Sequence, residues 1–288
     1  MDSFKARWGV GQWAAYFENH ALPVMRRSKL LMTQLEEAEG ELLAPNDLAD
    51  IVLQDPLLCL LLLREAERRK SHRLGRETTT ALAAILQLGV DEFRKLLLSS
   101  PEVDESNHGL IAVETRARLA AQIALTWATG RADLNPDEVA VAALLGGAGD
   151  LLLWVYAAEI PQKADGLLRS GNAQRSAQAQ MQACGFTFKQ LTTQCAERWK
   201  LPALVLQLLR GAETLRAQLT RTCSNTARHV LDDSPNATLA LASDLVEAAK
   251  LVPNASLEWL VDGLAMLPEE RRSGVLKAAW ALGGAAPG

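Results

Sequence analysis

Metal-assisted hydrolysis needs three or more nitrogen, sulfur or carboxylate ligands converging on one ion, and such sets show as histidine or acidic clusters at helical spacing. This chain has four histidines, His20, His72, His108 and His229, and each stands alone. None is followed by aspartate, and none has another histidine within a helical turn. A divergent phosphohydrolase would have to draw its ligands from Asp150, Asp165, Glu159 and His108, which form no known pattern. Nucleophilic chemistry has no better support. The sequence has no Gly-x-Ser-x-Gly elbow, and Cys59, Cys184, Cys195 and Cys223 show neither a basic partner nor the two-residue gap of a zinc or redox motif. Gly147-Ala148-Gly149 is followed by Asp150-Leu151-Leu152, so the third glycine of a dinucleotide fingerprint is missing, and a helix rather than a strand precedes it.

One basic run, residues 64–76 (REAERRKSHRLGR), offers Arg64, Arg68, Arg69 and Arg73 to an anion or a partner. Glu65, Glu67 and Glu77 dilute its field, and no aromatic residue interleaves for stacking on bases. The simpler reading is a helix end whose cations complement the macrodipole. With 30 basic against 34 acidic side chains and a formal charge of −4, the chain lacks the positive balance that a phosphate backbone favours, so nucleic acid is not an expected partner.

The elements that must hold these residues are helices. Apolar residues recur at three and four positions nearly throughout, and 49% of the chain is hydrophobic, ample for a large core. Asp55-Pro56 and Asn135-Pro136 each set a capping side chain before a first-turn proline, whose missing N–H the first turn does not use. The pattern predicts continuous helices over 136–158, 162–182 and 202–219, and a turn-rich segment over 220–237. Trp127, Trp154 and Trp199 occupy apolar helical positions and read as core. Residues 139–158 are long enough to cross a bilayer, but a central Asp150 costs ~3 kcal/mol there and the flanks Asp137, Glu138 and Glu159 supply no positive anchors. With no apolar leader in the opening residues, the expectation is a cytoplasmic protein away from membranes, its thiols free.

Several elements together resemble the HDOD family, bacterial signalling modules related to HD-type metal-dependent phosphohydrolases but stripped of catalytic residues. They are Leu22-Pro23, Leu48-Ala49-Asp50-Ile51-Val52 with Gln54-Asp55-Pro56, Leu60 to Arg64, Ala84-Ile85-Leu86-Gln87-Leu88-Gly89, and Trp199-Lys200-Leu201-Pro202. The resemblance covers about residues 20–250. It implies an all-α, two-lobed fold, with an N-terminal lobe over 1–100 and a degenerate HD-like lobe over 101–288. Leu144 to Gly149 falls where relatives carry Leu-Leu-His-Asp-Ile-Gly, so Gly146 and Gly147 take the two dyad positions, and Phe188 stands where many members place a histidine. Where a His-His pair often follows, this chain has Arg210-Gly211, and the family's Asn-Ser-Ala element is replaced by Glu65-Ala66-Glu67.

The resemblance therefore implies no catalysis and no cofactor. It implies a signal-transduction role through protein partners, receiver or cyclic-dinucleotide-turnover proteins among them, and leaves homodimerisation open. A phosphohydrolase and a regulator binding cyclic dinucleotide or nucleic acid through the basic run are the alternatives. Three glycines in one helix cost roughly 3 kcal/mol. The expected compensation is collapse of the emptied site, with helices closing over Gly146, Gly147 and Gly149 and Phe188 adding volume, because an empty cavity costs ~24 cal/mol per Å³.

Overall fold

The computed structural model describes residues 5–40, 43–69 and 77–283. Among them the fold is all-helical: after a 3-10 turn at Lys5–Arg7 come α1 (Val10–Glu18), α2 (Arg26–Glu39), α3 (Pro45–Leu53), α4 (Pro56–Arg68), α5 (Ala81–Leu88) and α6 (Val90–Ser99). They are followed by α7 (His108–Ala128), α8 (Pro136–Leu145), α9 (Ala148–Tyr156), α10 (Glu159–Arg169), α11 (Ser176–Cys184) and α12 (Phe188–Arg198). The chain ends with α13 (Ala203–Arg210), α14 (Leu215–Val230), α15 (Ala237–Leu251), α16 (Leu257–Asp262) and α17 (Glu269–Gly283). The single β contact among the described residues is a parallel bridge between Val24 and Glu102.

Helix α4 is buried from Pro56 to Arg64, as a helix apolar on every side must be. Its N-cap carboxylate, Asp55, is fully buried and saturated with donors. Oδ1 accepts the Leu57 and Leu58 N–H groups at 3.0 and 3.1 Å, and Oδ2 accepts the Met25 N–H at 2.7 Å and the Ser28 hydroxyl at 2.8 Å. One side chain thereby joins the starts of α2 and α4. Arg27 adds a second tie, reaching the Gln54 carbonyl and the buried Glu114 of α7.

Helix α7, the longest of the described helices, packs along α8, α9 and α14. At its C-terminal end the Trp127 indole donates to the Leu260 carbonyl at 3.0 Å, fixing α16 there. Helix α1 lies across α12. Trp127, Trp154 and Trp199 are buried, as their spacing predicted.

Three predicted helices are broken. The stretch 136–158 stops at Leu145 and restarts at Ala148, with Gly147 in a non-helical conformation (φ −99, ψ 14) between α8 and α9. Most of this apolar segment is buried inside the fold. The stretch 162–182 is interrupted by a turn through Gly171 (φ +73), and 202–219 ends at Gly211 (φ +78); both glycines adopt the left-handed region that a side chain resists. Conversely, most of the turn-rich segment 220–237 is helix. Within α14 the hydroxyls of Thr220, Thr222, Ser224 and Thr226 donate back to carbonyls one turn earlier, so groups that usually favour turns are satisfied inside the helix.

Candidate functional site

The break between α8 and α9 opens onto a cavity of about 470 Å³ bounded by the eight helices α7 to α14. Gly146, Gly147 and Phe188, the three positions that the resemblance sets against the relatives' ligand positions, all line it. The expected collapse occurs at one glycine only. A Cβ on Gly149 would sit 2.4 Å from the Phe188 carbonyl oxygen and 2.8 Å from the Thr192 nitrogen, so α9 touches α12 backbone to backbone. The Thr192 hydroxyl completes that contact, accepting from the Gly149 N–H at 2.8 Å and donating to the Phe188 carbonyl at 3.1 Å.

At Gly146 and Gly147 the surroundings are open. A Cβ there would meet nothing closer than 3.4 Å at Gly146 and 3.7 Å at Gly147, and Gly146 is exposed. The physical reason lies in the opposite walls. Arg116 of α7, Asp165 of α10, Lys189 of α12 and the α14 face bearing Arg221, Ser224, Asn225 and Arg228 all line the space. Closing helices over them would strip water from charged groups that have too few partners to compensate.

Asp150, in the first turn of α9, is the most perturbed group of the site. Its Oδ2 is 3.3 Å from Arg116 Nη2, while Oδ1 is shielded from solvent without a hydrogen bond of ordinary geometry. Burial pushes its carboxyl up to about 6, against the pull of Arg116, and the neighbouring Asp165 pushes the same way. The Trp154 ring covers Gly109 so closely that a Cβ there would lie 2.2 Å from it, and the Asn107 amide donates to the Trp154 carbonyl at 2.9 Å.

Residues 26–214, well over half of the chain, match the family model of the HDOD domain. The chain belongs to the HDOD family. Its fold is shared with the MmoQ response regulator of Methylococcus capsulatus str. Bath, at 19% identity and a TM-score of 0.66 over 86% of this chain and 99% of that one. A virulence factor from Campylobacter jejuni subsp. jejuni matches at 17% identity and a TM-score of 0.71, covering 95% of this chain and all of that one. No curated protein matches the chain. The HDOD match ends at residue 214, one residue before α14, so the wall carrying Arg221 and Arg228 lies beyond it.

The remaining candidates do not gather. Asp150 and Asp165 share the cavity, but His108 and Glu159 do not line it, and among the described residues no three His, Cys, Asp or Glu side chains could hold a metal ion. The four-ligand set drawn from the sequence is thus dispersed. Of the basic run, Arg64 points inward, its side chain 9% exposed and its guanidinium 5.5 Å from the Trp199 ring, rather than decorating the surface. Arg68 pairs with Glu65 at 3.2 Å and Arg69 with Glu92 at 3.0 Å; Arg73 lies outside the described residues. Nor do the thiols offer a nucleophile: burial raises all four, Cys195 to about 12.

Sequence reasoning missed Arg116, Lys189, Thr192 and the polar face of α14. For that face a signal existed: Arg221, Ser224, Asn225 and Arg228 fall at i, i+3, i+4 and i+7, one stripe of a helix.

Proposed function

We propose that this HDOD protein is a non-catalytic signalling module that relays a state to protein partners in a cytoplasmic sensory pathway. The observation that carries the reading is the composition of the cavity at Gly146–Gly147: its lining includes two carboxylates, Asp150 and Asp165, and neither a histidine nor a cysteine, so a divalent ion finds too few ligands. The hydroxyl nearest the glycines, Ser224, donates to the Thr220 carbonyl and has no base beside it, which leaves acyl or phosphoryl transfer without a nucleophile. What the lining can do is bind. The fold shared with a protein described as a response regulator fits an output or scaffold role, with receiver or cyclic-dinucleotide-turnover proteins as partners.

Metal analysis of protein purified without chelator, combined with a hydrolysis assay on bis(p-nitrophenyl) phosphate and common nucleotides, tests the reading. The expected result is substoichiometric metal and no turnover. Stoichiometric manganese, iron or zinc together with turnover abolished by Asp150→Ala would overturn it in favour of a phosphohydrolase.

A further inference from the structure

The cavity is an unusual mixture for a space without chemistry. Its interior walls are small and apolar, with Ala117, Ala120, Ala142 and Ala143 buried around it and Leu208 closing one side. One rim is cationic. Lys189 and Arg221 are exposed and make no ion pair or hydrogen bond with any described residue, and Arg228 lies 3.2 Å from the His229 ring and within the electrostatic reach of Asp244. Between the two arginines, the half-buried Asn225 amide also makes no hydrogen bond among the described residues. Asp150 and Asp165 also line the space, and an anionic group is unwelcome beside them.

We infer that this cavity is a binding site for a small amphipathic organic anion, its head held at the Lys189–Arg221–Arg228 rim and its neutral body lying in the alanine-lined interior. The volume is in the range that small-molecule sites use, roughly 300–1,000 Å³. Lys189 and Arg221, without carboxylate partners among the described residues, and Arg228, which makes no salt-bridge contact with them, supply charge-assisted donors, and Asn225 adds a neutral one. The apolar interior supplies the driving force for the body. The site goes beyond the proposed signalling role and stands independently of it: absence of metal and turnover neither requires nor forbids a bound anion.

The probe is 8-anilino-1-naphthalenesulfonate, which joins a sulfonate to an apolar aromatic body and fluoresces when removed from water. Titration of the full chain should saturate at one site. Arg221→Glu with Arg228→Glu, both exposed, should weaken the affinity at least about tenfold while leaving the fold intact by circular dichroism. Gly147→Leu should abolish binding by filling the cavity, because the backbone at 147 accepts a side chain and the nearest neighbour of its Cβ, Val113, is 3.7 Å away. Arg68→Glu with Arg69→Glu should leave the titration unchanged. Binding that never saturates, or that is the same in the rim, plug and wild-type proteins, would overturn the inference, as would loss of binding in the Arg68/Arg69 variant alone.

Discussion

Asp55 and Asp150 both stand at the start of an apolar helix, and the difference between them is the number of donors. Asp55 receives four hydrogen bonds from α2 and α4. Burial pushes its carboxyl up, while those donors and Arg27 pull it down. Asp150 receives a 3.3 Å contact from Arg116 and a weak one from the Trp154 side chain, and its shielded Oδ1 has no hydrogen bond of ordinary geometry. A buried carboxylate with all lone pairs engaged joins two helices; one left short of donors takes up a proton more readily than in water and borders a cavity. The same contrast repeats three residues apart at Gly149, closed against α12, and Gly146, open to the cavity.

Substitution should separate the two regions widely. Asp55→Ala removes the α4 cap and strands the Met25 N–H and Ser28 hydroxyl in the core. Urea unfolding should show a loss of about 4 kcal/mol, and a loss under 1 kcal/mol would erase the distinction drawn here. Gly149→Ala forces a methyl group onto backbone atoms of α12 that cannot rotate away, and about 2–3 kcal/mol should be lost in the same assay.

A pH titration of stability sharpens the comparison further. Because the folded-state pKa of Asp150 is raised from 3.8 to about 6, the folded protein binds this proton more tightly than the unfolded chain. The destabilisation it causes is fully present above about pH 6, shrinks as pH falls through that value, and vanishes below the unfolded pKa. Wild-type protein should therefore gain about 2 kcal/mol relative to Asp150→Asn between pH 7 and pH 4; parallel stability curves for the two proteins would refute the assignment. The smallest effect belongs to Gly146→Ala, which should stabilise by about 0.5 kcal/mol through helix propensity, since α-region backbone and open space both accept the methyl group.

Much of this was legible in the sequence. The all-α class, the capped starts of α4 and α8 and the family itself follow from periodicity, Asp-Pro and Asn-Pro steps, and spaced motifs, all local features. The cavity was not, because its walls come from eight helices and its shape depends on which glycine is pressed against a neighbour. Gly146, Gly147 and Gly149 look alike in sequence, yet only the last is pressed against the backbone of another helix. Helix α14 was obscured for a different reason. Its threonines, serine and asparagine read as turn formers, and only the bonding of its hydroxyls to the preceding turn shows how the helix tolerates them.

The Gly149–Thr192 contact also fixes where the cavity can change shape. A joint made between backbones behaves as a rivet, so α9 and α12 move as one plate. Across the cavity, α13 ends on the left-handed glycine cap at Gly211 before α14 begins, and α14 packs along α7, α8 and α15. A displacement of α14 at the cavity is therefore shared with α15, the helix packed against it.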